Sequence, residues 1–167
     1  KVIEVKNILS KQKFPGQIYS LSALANDDKV ISAKDKLNSI GKINYISGLM
    51  PGSWEKYSVH LFDPLIQIFG KEFFIEDTKV FKSDSLTRLN GKSIDNCEIS
   101  LTCLGNQNCS PFLNIIGEEH FMFMDFQDPY SAFKNTLQKF SDNICDKNIL
   151  RSEDEIIHSI SLIQKGL

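Results

Sequence analysis

Cys109, His120 and Asp125 are the residue types of a thiol-nucleophile triad, in which an imidazole holds the thiolate and a carboxylate orients the ring. Cys109 ends the turn-like segment Leu-Gly-Asn-Gln-Asn that follows Cys103, and His120 and Asp125 fall on a hairpin expected between Phe112 and Phe126. Their spacing weakens the case. His120 and Asp125 have opposite parity, so on one strand they face opposite sides of the sheet. A small cysteine-dependent hydrolase or transferase is therefore an alternative reading, with these three residues as its catalytic group.

Metal and cofactor chemistry find less support. His60, His120 and His158 fall in three separate segments, and no H-x-x-x-H, H-E-x-x-H or paired C-x-x-C occurs near Glu118, Glu119 or Asp125. The adjacent acids Asp27-Asp28 and Glu118-Glu119 point apart on a turn and read as solvated. No G-x-G-x-x-G, Walker loop or G-x-S-x-G elbow is present, so neither a metal nor a cofactor is expected.

Cys97, Cys103, Cys109 and Cys145 make an even set. An extended Cys97–Cys103 strand separates its ends by about 20 Å, which excludes that pair. Cys103 with Cys109 and Cys97 with Cys145 are then the disulfide candidates, and they favour an exported, periplasmic or secreted, location over the cytosol. The competing reading is four small buried thiols in a reducing compartment.

Recognition residues complete the candidates. Trp54 and Tyr57 follow the Leu49-Met-Pro-Gly52 loop, where large aromatics can anchor an interface, or lie as core beneath it. Glu118 and Glu119 at a hairpin tip offer an acidic surface to a basic partner.

Several elements must position these side chains. Val30, Ala33, Leu37 and Ile40 predict a helix over 28–40, capped by Asn26 or Asp27 and ended by Gly41. Val2 to Ser10 carries a weaker helical pattern. Ser53 to Phe69 is ambiguous between strand and helix, with Asp63-Pro64 resembling a cap and first helical position. Strands are expected at 72–76, 79–82, 85–89, 92–95 continuing into 97–104, 112–116 and 120–126, with Asn90-Gly91 as a hairpin turn. The last strand, apolar on both faces, is expected in the sheet centre. Asp128-Pro129 opens a helix with the apolar stripe Tyr130, Phe133, Leu137, Phe140 and Ile144. Ser152 and Glu155 form a capping box ahead of a second stripe, Ile156, Ile160, Ile163 and Leu167.

The expected architecture is α+β: a mainly antiparallel sheet of about five strands over 72–126, packed by N-terminal helices and two C-terminal helices, in a single domain over 1–167. With 167 residues, 41% of them hydrophobic, and a net charge of −2, the chain can bury a sizeable core. Arg88 and Arg151 are its only arginines, which argues against nucleic acid, and no apolar run reaches the length of a membrane span. By elimination, the chain reads as a non-enzymatic protein-binding domain of the inhibitor or toxin-neutralising immunity type, its partner another protein. A carrier of a small apolar ligand is the remaining alternative.

Overall fold

The computed structural model describes residues 20–146 and 152–167, together with Ile3, Glu4, Asn7 and Lys11. Six strands form one mixed sheet: β1 (Ile43–Met50), β2 (Glu76–Lys82), β3 (Thr87–Lys92), β4 (Glu98–Cys103), β5 (Phe112–Gly117) and β6 (Phe121–Asp125). Their order is β2-β3-β4-β1-β5-β6. The β1–β4 pair is parallel and the others are antiparallel. The α+β class stands, with one strand more than expected. The addition is β1, which lies between β4 and β5 and displaces β6 to the edge.

That displacement explains the apolar faces of β6. Met122 and Met124 turn toward the core, while Phe121, 70% exposed, and Phe123 lie on a sheet face that no described helix covers. The register places Tyr45, Ser47, Asn114 and Thr102 on that same open face. Asn90-Gly91 is not a turn. The chain reverses at Ser83 to Leu86, where the Ser83 N–H donates to the Leu86 carbonyl at 2.9 Å, and Gly91 continues β3. Glycine is needed there for space, since a Cβ would lie 2.7 Å from the Glu76 carbonyl oxygen. Residues 72–76 are not a strand: a 3-10 turn occupies Gly70–Glu72, and β2 starts at Glu76. Positive φ at Asp95 and Asn96 interrupts the run expected from 92 to 104.

The helices are α1 (Asp28–Lys36), α2 (Trp54–Tyr57), α3 (Val59–Phe69), α4 (Pro129–Asp146) and α5 (Glu153–Gln164). Asp27 caps α1 by accepting from the Lys29 N–H at 2.9 Å, and a 3-10 turn over Leu37–Ser39 takes the chain on toward Ile40. The pattern over Val2 to Ser10 falls largely outside the described residues; Ile3, Glu4 and Asn7 are helical. Asp63-Pro64 does not start a helix. α3 runs through it although Pro64 cannot donate to the His60 carbonyl, because burial of Leu61, Phe62, Leu65, Ile66 and Ile68 outweighs one missing bond.

Asp128 caps α4 as expected, accepting from the Ser131 N–H at 3.1 Å and its hydroxyl at 2.6 Å. The apolar stripe of α4 does not face the core: Tyr130, Phe133, Leu137 and Ile144 are each more than half exposed. α4 is held instead by small and polar residues. Ala132 and Thr136 are buried, the Asn26 amide donates to Thr136 Oγ1 at 2.9 Å, and Lys139 donates to Asn26 Oδ1 at 2.9 Å. The capping box of α5 forms, and its buried line is Ile156, Ser159 and Leu162. No helix among the described residues is long and apolar enough to cross a membrane.

Candidate functional site at the carboxyl ends of the parallel strands

β1 and β4 end side by side, and two loops leave from there. Gly52 and Gly105 exchange backbone hydrogen bonds at 2.7 and 2.9 Å, tying the loops together. In open α/β sheets the crevice outside the carboxyl ends of parallel strands is where ligands bind. A cavity of about 730 Å³ lies there. Its polar lining is Tyr57, His60, Cys109, Ser110 and Gln127, and its apolar lining includes Leu24, Met50, Pro111, Phe126 and Phe133. Among the described residues no lysine, arginine, aspartate or glutamate lines it.

His60 is the best-supported polar group in this cavity. It occupies the second position of α3, whose buried face packs on β1 where Gly48 leaves room. Its Nδ1 lies 2.7 Å from Ser22 Oγ. The Ser22 N–H donates to Asp63 Oδ2 at 2.6 Å, and Ser159 Oγ donates to Asp63 Oδ1 at 2.6 Å. Asp63 is 1% exposed and lies three residues beyond His60, on the same face of α3. Burial pushes the His60 pKa below its ordinary 6.5, against an opposing pull from the Asp63 charge, so the ring is neutral at neutral pH. The sequence pattern had His60 only among scattered metal candidates. The H-x-x-D spacing on an apolar helix was the signal that could have found it.

The triad residues are not assembled. Cys109 lies before β5 in the cavity wall, and Asp125 pairs with Phe112 at that end of the hairpin. His120 sits at the opposite end, where its carbonyl accepts from the Gly117 N–H at 2.9 Å. Asp125 is engaged by Lys29, whose ammonium binds both its carboxylate and its main-chain oxygen and holds the carboxyl below its usual range. All four cysteines are free thiols, so neither expected disulfide is formed. Cys97, just ahead of β4, and Cys103, at its end, are buried as small hydrophobes, Cys109 is half-buried, and Cys145 is exposed on α4. Among the described residues no cluster of histidine, cysteine or carboxylates has the geometry to hold a metal ion.

Of the expected recognition residues, Tyr57 lines the cavity, 42% exposed. Trp54 is core: it meets Phe62 edge-to-face at 5.8 Å, and its indole N–H donates to the Ile163 carbonyl at 2.9 Å. Glu118 and Glu119 are exposed at the far end of the sheet, their N–H groups donating to the Lys42 and Ile40 carbonyls.

No protein-family model matches the sequence, and no curated protein matches it. Solved structures do. A protein from Magnetospirillum magnetotacticum MS-1, provisionally named an oxidoreductase, aligns with a TM-score of 0.79 at 11% identity over 100% of this chain and 69% of its own. Myo-inositol 2-dehydrogenase from Lactobacillus plantarum aligns with a TM-score of 0.74 at 16% identity over 98% of this chain and 65% of its own. Myo-inositol dehydrogenase from Lactobacillus casei, in complex with NAD(H) and myo-inositol, gives 0.70 at 14% identity over 99% and 64%. The fold is that of these oxidoreductases. This chain spans about two thirds of their length. The likeness overturns the expectation of a non-enzymatic inhibitor or immunity-type protein. Elimination misled because fold relatives at such low identity leave no motif in the sequence.

A dinucleotide's pyrophosphate does not fit the described residues. Such a cradle needs open glycine backbone at a helix N-terminus after a parallel strand. Gly52, with φ +92°, holds the corresponding place after β1, but a Cβ there would lie 2.1 Å from the Tyr57 ring, so the side chain of Tyr57 fills that space. The helix that follows, α2, is a single turn.

Proposed function

We propose that this chain is the ligand-binding part of an oxidoreductase of the dehydrogenase type, and that the cavity beside His60 takes a small uncharged compound bearing hydroxyl or carbonyl oxygens. The observation that carries the reading is His60 itself: a neutral imidazole, braced through Ser22 and Asp63, in a cavity whose described lining is largely apolar and holds no charged side chain. Apolar walls with a few convergent polar groups suit a compact neutral ligand, and a cyclic polyol or its ketone is of that class. The fold shared with inositol dehydrogenases supports the same class. Tyr57, Ser110 and Gln127 supply further hydrogen-bonding groups for orientation. The phosphates of a dinucleotide would be held by residues other than those described.

The test is thermal unfolding and calorimetry of the purified chain with inositols, other cyclic polyols and their keto derivatives. A bound compound stabilises by about 2.7 kcal/mol at a hundred times its Kd. That stabilisation is expected in the native protein and absent in His60→Ala. Binding that survives His60→Ala unchanged, or no binding by any compound of the class, overturns the proposal.

A further inference from the structure

We infer that Ser22 donates its hydroxyl proton to Nδ1 of His60 and so fixes the ring as its Nε2–H tautomer, which meets a ligand oxygen as a hydrogen-bond donor and not as a proton acceptor. The ligand half of this inference rests on the reading of the cavity proposed above, and assigns the direction of the hydrogen bond made there.

A serine hydroxyl has one proton and two lone pairs. The Leu24 N–H reaches Ser22 Oγ at 3.2 Å and occupies one lone pair. Oγ and His60 Nδ1 are 2.7 Å apart, so a single proton lies between them. If that proton belonged to Nδ1, the hydroxyl proton of Ser22 would need a second acceptor. Ser22 is 3% exposed, which keeps water away, and its remaining polar contact is made by its own N–H to Asp63 at 2.6 Å. Among the described residues the hydroxyl proton therefore has one acceptor, and that is Nδ1. A buried donor left unpaired is costly enough to favour the Nε2–H tautomer by roughly ten to one.

Two further observations agree. Burial holds the ring neutral, so Nδ1 keeps the lone pair that Ser22 needs. Asp63 anchors the Ser22 amide and is itself held by Ser159, so the hydroxyl is presented from a fixed main chain. Ser22 and Asp63 are positioning residues. His60 Nε2 has no partner among the described residues, on a ring that lines the cavity. A neutral imidazole N–H aimed at a ligand oxygen binds it without carrying a charge into an apolar site.

The experiment is a long-range proton–nitrogen NMR correlation on the uniformly labelled native chain at neutral pH, with His60 assigned from His60→Gln. The expected spectrum has a protonated Nε2 and a bare Nδ1. Ser22→Ala moves the pair toward a mixture of tautomers, and Ser22→Thr retains the native pattern. A protonated Nδ1 in the native chain overturns the inference, as does a Ser22→Ala variant whose tautomer ratio is unchanged. The ligand half is read from the same spectrum with inositol or its monoketone bound, in which Nε2 is expected to keep its proton and its resonance to shift. A proton that moves from Nε2 to Nδ1 on binding overturns the donor assignment. If neither compound binds, the reading of the cavity fails, while the spectrum of the free chain still decides the role of Ser22.

Discussion

Ser159 on α5 donates its hydroxyl to Asp63 on α3 at 2.6 Å, and the same carboxylate takes the Ser22 N–H through its other oxygen. One buried carboxylate thus joins two helices and the segment ahead of α1. Asp63→Ala is expected to lower stability by about 2–4 kcal/mol, because buried donors that include the Ser22 N–H and the Ser159 hydroxyl lose their acceptor. Ser159→Ala, which removes one donor, is expected to cost about 1 kcal/mol. Urea unfolding of the two variants checks the ranking, and equal losses would show that the carboxylate is not the shared anchor.

Gly48 lies where α3 comes closest to the sheet. A Cβ there would lie 2.7 Å from Leu113 Cδ2 and 2.9 Å from Leu61 Cδ2. Gly48→Ala is expected to destabilise by about 1–3 kcal/mol through overpacking. Pairing it with Leu61→Ala opens room for the added methyl. The double variant should therefore lose less than the sum of the two single changes in denaturant unfolding.

The four thiols differ in reach and in acidity. Burial pushes Cys97 up to about 11 and Cys103 up to about 12, and raises Cys109 by a smaller amount, while Cys145 is exposed. Iodoacetamide at about pH 8 is expected to modify Cys145 first and Cys109 more slowly, and to leave Cys97 and Cys103 untouched until the chain unfolds. Peptide mass mapping over time gives the order, and early modification of Cys103 would contradict the buried β4.

The depressed His60 pKa sets a sign for acid stability. The unfolded chain takes up this proton at its ordinary 6.5, while the folded chain resists until lower pH. Stability contributed by the neutral ring is present above 6.5 and lost as the pH falls through the folded pKa. His60 faces Asp63 on its own helix, the Tyr57 ring at 6.0 Å, and Cys109 across the cavity. Asp27, whose carboxyl burial raises, contributes with the opposite sign. The difference between native protein and His60→Gln removes that background. Unfolding free energies measured between about pH 7 and 5 should fall more steeply for the native chain.

Because the Tyr57 ring occupies the space beside Gly52, the 167-residue chain is expected to show no saturable binding of NADH. Nicotinamide fluorescence in a titration reads this directly. Saturable binding would mean that Tyr57 swings out of that space.

The elements with strong local signals were legible in the sequence. Asp27, Asp128 and Ser152 cap helices because a short polar side chain before an apolar period has few other uses. What the sequence hid depends on long-range pairing. Ile43–Met50 is a strand only because β4 and β5 flank it, and its Gly48 and Ser47 weaken any local strand pattern. Asn90-Gly91 has the chemistry of a turn, yet the register of β2 against β3 places the reversal at Ser83 to Leu86. The site was hidden for the same reason. His60 acquires its meaning from Ser22, 38 positions away, and from loops that β1 and β4 bring together.

The central place of β1 also dictates when the protein can fold. Tyr45 is paired on one side with Glu98 and on the other with Ile116, so neither neighbour of β1 exists until much later in synthesis. A ribosome that has released only the first half of the chain presents an eight-residue strand with both edges bare. Both edges of β1 are covered only once β5 has emerged, and completion of the sheet and of the cavity at its end must wait for β6 and the first turns of α4. A fragment ending before Glu98 is therefore a sticky species, a natural client for chaperones and not a smaller version of the fold.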